Sequence, residues 1–407
     1  MTVPRRPLPA HGAIDIAATT AIQALASLAG LALPAIAPLL AAGLGVAPTL
    51  VGYWVSLVYA LAMATSLAGG AVVGRLGPCR TSQLALVLCG AGCALAAVPL
   101  LPMMALAAVL VGLGYGLVNP ASSHLLARST SANRNLIFSI KQTGVPIGGT
   151  LAGMAAPPLA EAFGWQAVPA TVAVLALLLA LLIAPRRDHW DVDRDPKTRL
   201  GRRPFAGLAA IWRQPPLRAL SLSAFFFAVV QLCLVTFLVT MLVTEAGFTL
   251  VAAGVALSVA QVSGVGGRLL WGLLADRIGG PRVLVLLALT MVAGAALTGA
   301  MTSAWPAPAV FATLILFGLS AIGWNGVYLA EIARITPPAE VGRITGGSLF
   351  FTFGGVLVGP SAFAALYHAF GSLGATFGLL AGAALAGLVL VVAAQRGNAV
   401  TGPAPRA

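Results

Sequence analysis

Two basic side chains stand inside apolar runs of this sequence. Arg268 ends the stretch QVSGVGGR, and Lys141 sits in FSIKQTGVP, residues 138–146. Burying a charge in an apolar layer costs at least a few kcal/mol, so a cation there calls for water or an anion. A guanidinium and an ammonium converging on one cavity would clamp a carboxylate or another small anion. The first offers a planar fork of N–H donors, the second a compact point charge. Gln261, Gly264, Arg268 and Gly272 recur at helical spacing, which predicts one polar, open stripe. Arg268 precedes Asp276 by eight residues, about 12 Å of helix, and Lys141 follows Arg134 by seven, about 10 Å. The competing expectations are an ion pair that locks a gate for Arg268, and a side chain that reaches back to the interface for Lys141.

Neutral polar groups could complete such a site: Gln23, Asn119, Gln142, Gln231, Trp324, Asn325 and Tyr328. Packing or interhelical hydrogen bonding explains each of them equally well. Carboxylates are fewer. Asp15 opens the first run, where a helix N-terminus favours an anion, and Glu331 stands one turn before Arg334. These two are the candidates for carrying a proton, although capping fits Asp15 better and a charge network fits Glu331 better. Glu161 and Glu245 fall at run ends, where water reaches them.

The elements that must position these residues follow from composition. Of 407 residues, 59% are hydrophobic and 8% charged, against roughly a quarter charged in a soluble domain. A helix crosses the hydrocarbon layer in about 20 residues, and twelve runs of that kind, from 14–41 to 372–394, use up nearly the whole chain. The expected fold is an all-α membrane protein of two six-helix bundles, residues 1–184 and 217–407, joined by a basic linker at 185–216 with a short surface helix near 205–213. That linker could attract anionic lipid headgroups, or act simply as a topology determinant and tether.

The net charge of +13 is placed for a membrane and not for nucleic acid. Arg5 and Arg6 precede the first run. Arg75 and Arg80 follow the second, Arg128 and Arg134 the fourth, and Arg186, Arg187, Arg194, Lys197, Arg199, Arg202 and Arg203 the sixth. Arg277 and Arg282 follow the eighth run, Arg334 and Arg343 the tenth, Arg396 and Arg406 the twelfth, and the alternate loops carry no Lys or Arg. The positive-inside rule then puts both termini in the cytoplasm. The first run is too long for a cleaved signal. Cys79, Cys89, Cys93 and Cys233 read as reduced packing residues. Four scattered His, no phosphate loop and no nucleophile beside a base argue against an enzyme, a metal, a cofactor or a nucleotide-driven pump. Frequent Ala, Gly, Pro and Arg suggest a GC-rich bacterium, hence an inner membrane, and a monomer is expected.

The chain also repeats itself. Gly272–Arg282 reads GLLADRIGGPR, and Gly70–Arg80 reads GAVVGRLGPCR. Asn119–Arg128 aligns with Asn325–Arg334, and Gly153–Pro158 with Gly355–Pro360. The loop pattern resembles the signature of the major facilitator superfamily, G-x-x-x-D-[RK]-x-G-x-x-[RK], and the resemblance covers all twelve runs. The second copy matches fully, whereas the first has Gly74 in place of Asp. The resemblance implies parallel six-helix halves, a solute site between them near the midplane, and alternating access. It implies gate roles for Gly272, Asp276, Arg277 and Arg282, and for their counterparts Arg75 and Arg80. Glu331, with Arg334, resembles the helix-end Glu of sugar porters. Arg268, four residues before the signature Gly, resembles the carboxylate-binding Arg of monocarboxylate and oxalate transporters. The function implied is proton-coupled uptake of a small organic anion. The alternative is a proton-driven exporter of drugs or metabolites, whose G-x-x-x-G-P-x-x-G motif belongs in the fifth run; there the chain reads Gly153-Met-Ala-Ala-Pro157-Pro158, and the closer match, Gly355, Gly359 and Pro360, is in the eleventh.

Overall fold

Apolar runs of about twenty residues reach low energy in lipid only by closing every backbone hydrogen bond internally, which a helix does. The computed structural model describes residues 10–128, 140–196, 206–336 and 341–400, and among them there is no strand. The first six main helices are α1 (Ala10–Leu31), α2 (Val51–Leu76), α3 (Pro78–Ala96), α4 (Leu101–Arg128), α5 (Gly144–Phe163) and α6 (Ala167–Leu182). The second six are α7 (Pro215–Thr244), α8 (Leu250–Ile278), α9 (Gly280–Gly299), α10 (Ala307–Ala321, resumed at Asn325–Arg334), α11 (Val341–Phe370) and α12 (Leu373–Val400). Arg5, Arg6, Arg134, Lys197, Arg199, Arg202, Arg203 and Arg406 lie outside the described residues, as do the side chains of Arg128 and Arg343.

Eleven of the expected twelve spans are long and apolar enough to cross a membrane. The twelfth, α5, is long enough at 20 residues, but Gly144, Gly148, Gly149, Gly153, three prolines and Glu161 dilute its hydropathy. Its glycines have another use. A Cβ on Gly144 or Gly148 would strike the α1 backbone at Thr20 or Ala24, and one on Gly153 would lie 2.5 Å from the Gly254 carbonyl of α8. The four-residue glycine spacing therefore makes two seams on one helix, the first within a bundle and the second between bundles. Gly355 and Gly359 of α11 face α7 at Phe225 and Val229. In packing they correspond to Gly144 and Gly148. The sequence pairing of Gly153 with Gly355 is thus corrected by the contacts each glycine makes.

The repeat extends to the packing. Within the first bundle α1 packs on α5, α2 on α4 and α3 on α6; within the second, α7 packs on α11, α8 on α10 and α9 on α12. Across the bundles α5 meets α8 and α2 meets α11. The signature glycines serve the short turns at one end: Gly77 (φ 87°) links α2 to α3 and Gly279 (φ 91°) links α8 to α9. Both occupy the left-handed region that a Cβ disfavours. The α2–α11 contact lies at the opposite end, where a Cβ on Gly52 would come within 2.6 Å of the Pro360 carbonyl and Ser361 donates its N–H to Ser56 Oγ at 3.2 Å.

Two departures from straight helices matter for the site. After α1, Pro34 and Pro38 impose a 3-10 turn (Pro34–Ile36) and a separate helix, Ala37–Leu44, since proline lacks the N–H that a continuing helix needs. In α10, the regular helix is interrupted over 322–324. Freed carbonyls in lipid must find donors elsewhere. Trp271 Nε1 donates to Leu319 O at 2.9 Å and Arg268 Nε to Ile322 O at 3.4 Å, both from α8.

Beyond α6 the chain folds back as a strap over the end of the first bundle, through a short helix at Arg187–Trp190. Trp190 is fully buried and its Nε1 donates to Asp15 Oδ1 at 2.8 Å. Asp191 accepts from the N–H groups of Cys79 and Arg80 (2.6 and 3.4 Å) and lies 3.8 Å from the Arg80 guanidinium. Asp195 N donates to Gly74 O at 2.7 Å. Asp15 is therefore an anchor for the strap and not the expected helix cap, because α1 starts five residues before it. The linker's surface helix is Ala206–Arg213, and Trp212 stacks on Phe351 of α11.

Candidate functional site

Lys141 and Gln142 belong to the helical turn leading into α5. Lys141 is 2% exposed, so its ammonium does not reach back to the interface. Nζ donates to Gln23 Oε1 of α1 at 2.7 Å, to Asn119 Oδ1 of α4 and to Gln142 Oε1 at 3.2 Å. An ammonium has three donors, and all three end on neutral amides. Arg268 approaches from α8. Its Nη1 donates to the main-chain O of Gln142 at 3.3 Å, and its Nε holds Ile322 in the break of α10. Gln142 thereby touches both cations. Two of the five guanidinium N–H donors are used in these contacts.

Among the described residues, neither cation has a carboxylate within ion-pair distance. Two uncompensated charges beside a lipid layer are expensive, and such a site is short of acceptors. One further donor points the same way: Gln23 Nε2 is buried with no acceptor within hydrogen-bonding distance.

Gln261 does not share an open stripe with Arg268. It is 3% exposed and packs its amide against Gly149 of α5. Gly264 is covered by Ile322, so the middle of the expected stripe is closed by α10, while Gly272 remains open. The stripe fails because α8 is flanked by α5 on one side and α10 on the other, and neighbouring positions turn toward different helices.

The second bundle holds its own polar cluster. Gln231 Oε1 of α7 accepts from Trp324 Nε1 at 2.9 Å and from Asn325 Nδ2 at 3.4 Å. Tyr328 is 1% exposed and tilts against Trp324, with ring centroids 5.4 Å apart. Asn119 and Asn325, equivalent in the repeat, thus do different work: one helps cage an ammonium and the other helps orient an indole-bound glutamine.

Glu331 is gripped by Arg334 through two bonds of 2.8 and 2.5 Å, and its carboxylate sits over Gly280 at the start of α9. These residues and Arg282 line a cavity of about 450 Å³ at the end of the second bundle, away from Lys141. Asp276 and Arg277 are exposed, and among the described residues neither forms an ion pair. Arg75 is exposed, whereas Arg80 is tied to the strap through Asp191.

Tyr59 and Tyr115, on α2 and α4, were not legible as site residues. Their rings meet edge to face at 5.4 Å, and Tyr115 stands close enough to Arg268 for an electrostatic interaction. The available signal was spacing, since Tyr115 precedes Asn119 by four residues and shares its helical face. Trp190 and Asp191 gave no such signal.

Comparison with known proteins follows from this geometry. The family profile described as Major Facilitator Superfamily matches residues 19–360. Two uncharacterised MFS-type transporters of Mycobacterium tuberculosis are similar in sequence. The relative from strain CDC 1551 / Oshkosh is 26% identical over 58% of this chain and 52% of its own length. The relative from strain ATCC 25618 / H37Rv is 26% identical over 41% of this chain and 37% of its own length. The matched part of the chain thus spans about half or less of either relative. Solved structures with a similar fold include a bacterial homolog of the human lysosomal transporter Spinster, inward-facing and unoccupied (TM-score 0.76, 16% identity, 98% of this chain and 100% of that one). A mutant of the peptide transporter POT gives a TM-score of 0.77 at 16% identity, over 98% and 97% of the two chains. A mutant of the nucleoside transporter NupG gives 0.74 at 14% identity, over 94% and 99%.

Proposed function

Because the chain belongs to the major facilitator superfamily and is thereby a secondary transporter of the membrane, we propose that it takes up a small organic anion together with protons. The anion is held where Lys141 and Arg268 converge on Gln142. One observation carries the reading: two cations share a neighbour inside the helix bundle, and no carboxylate among the described residues compensates them. A monocarboxylate or dicarboxylate accepts from the free guanidinium N–H groups and from Gln23 Nε2, and it balances charge that the protein leaves open. The reading places the termini in the cytoplasm of a bacterial cell, the transporter acting as a monomer in the inner membrane. Closure at the turns bearing Arg75, Arg80, Asp276, Arg277 and Arg282 provides the gate, with Glu331 and Arg334 as its second-bundle brace.

The test is uptake into proteoliposomes of labelled monocarboxylates, dicarboxylates and cationic drugs, with and without an inward proton gradient, comparing wild type with Arg268→Gln. Gradient-driven anion entry that is lost in the variant supports the reading. Proton-driven movement of a cationic or neutral compound that survives the substitution, without anion entry, replaces it with the exporter.

A further inference from the structure

Proton coupling needs a group that gains and loses a proton, and among the described residues no carboxylate pairs with Lys141 or Arg268. Asp15 accepts from Trp190, Glu331 is clamped by Arg334, and Glu245 caps α12 through the N–H groups of Leu373 and Gly374. Glu161 is exposed near the end of α5. Among the described residues, Gln142 joins the Lys141 cluster to Arg268 of α8, Tyr115 of α4 lies near Arg268 and stacks edge to face on Tyr59 of α2, and α1 contributes the neutral Gln23. An Arg does not give up its proton in proteins.

We propose that Lys141 itself takes up and releases the coupled proton, an inference that rests on the anion reading of the site. The argument is the chemistry of its cage. A carboxylate partner would hold the ammonium in its charged form, but Gln23, Asn119 and Gln142 are amides, and an amide presents either an oxygen acceptor or an NH₂ donor. With Lys141 protonated, its three N–H groups end on three amide oxygens. When the proton leaves to water, the electron pair of the broken N–H bond stays on Nζ as a lone pair that needs a donor. Gln23 Nε2, buried beside Nζ without an acceptor, supplies it by a half-turn of the amide about the Cγ–Cδ bond. In each protonation state the lysine nitrogen then has a partner for every N–H bond and for its lone pair.

The consequence is coupling. An empty cavity carries one fixed cation, Arg268, and crosses the membrane cycle at lower electrostatic cost than with two. An arriving anion favours the second cation, so a proton and an anion travel together.

The experiment uses Lys197→Arg, because Lys141 and Lys197 are the chain's two lysines and the linker substitution leaves Lys141 alone. The protein, labelled with ¹⁵N-lysine and reconstituted in lipid nanodiscs without added solute, is followed by NMR of Nζ from about pH 5 to about pH 9. Conversion of the ammonium signal to an amine signal within that range supports the proposal; an ammonium signal that persists throughout overturns it. Gln23→Glu in the same background places a carboxylate beside Nζ and is expected to abolish the conversion. Conversion that survives Gln23→Glu counts against the amide cage. The two readings fail separately. Absent anion flux with intact conversion removes the anion, whereas intact anion flux without conversion removes Lys141 as the proton carrier.

Discussion

Arg268 of one bundle donates to the main-chain oxygen of Gln142 in the other, at 3.3 Å, while the side chain of Gln142 receives the ammonium of its neighbour Lys141. The bond links α8 to the turn before α5 and brings two cations, 127 positions apart in sequence, to one residue. The same guanidinium also closes the break in α10, so its loss has both a transport and a folding component.

Arg268→Lys is expected to show both components. A lysine keeps the charge but lacks the planar fork that spans Gln142 O and Ile322 O. Loss of one charge-assisted bond to a buried carbonyl costs about 1–3 kcal/mol, which lowers the thermal unfolding midpoint in detergent. Anion uptake by Arg268→Lys is expected to fall roughly tenfold or more in apparent affinity, measured as KM in proteoliposomes.

Asn119→Leu removes one acceptor from the Lys141 cage and leaves an ammonium N–H buried without a partner. The expected destabilisation is about 1–3 kcal/mol, read from thermal unfolding. In Asn119→Leu combined with Lys141→Met the penalty is expected to shrink, because the orphaned donor is gone. Equal penalties for the single and double variants would show that Asn119 matters for packing alone.

Gly153→Leu introduces a side chain where the Gly254 carbonyl of α8 leaves no room for a Cβ. The backbone there cannot move aside as a flexible side chain would, so the two bundles must part at that seam. Spin labels on the α5 and α8 ends nearest this contact are expected to report a longer distance than in wild type, with solute uptake lost. An unchanged distance distribution would mean that the seam absorbs the side chain without opening.

Asp191 gives the strap a pH dependence. Burial raises its pKa, and this outweighs the backbone N–H groups of Cys79 and Arg80 and the Arg80 charge, which lower it. A carboxyl with a raised folded-state pKa binds more protons folded than unfolded. Stability therefore rises as pH falls through the raised value toward the ordinary carboxylate value, and levels off below it. Unfolding midpoints of wild type over that window are expected to show this slope, and Asp191→Asn to flatten it. A parallel slope in the variant would assign the effect to another group.

Much of the fold was legible in the residues because spanning a membrane leaves the backbone few options. Hydropathy marked the runs, and the repeated Gly272–Arg282 pattern marked the two turns that need a left-handed glycine, Gly77 and Gly279. The place of Arg268 along its helix, eight residues before Asp276, was legible for the same reason: along a helix, distance follows residue count. Rotation was not. Whether Gln261 faces the cavity or Gly149, and whether Gly264 stays open or meets Ile322, depends on which helices flank α8, and no local pattern encodes that.

By itself, the sequence determined that this chain is a helical membrane protein with an internal repeat and two cations inside apolar runs. Tertiary structure alone decided what those cations touch. Gln23 and Asn119 reach Lys141 from α1 and α4, beside its sequence neighbour Gln142, the break in α10 turns a carbonyl toward Arg268, and the linker sends Asp191 to a turn whose own signature position is Gly74. The physical reason is that hydrophobic periodicity constrains one helix at a time. The partners of a polar group are set by helix crossings, and small residues such as Gly148, Gly149 and Gly153 govern those through the space they leave empty.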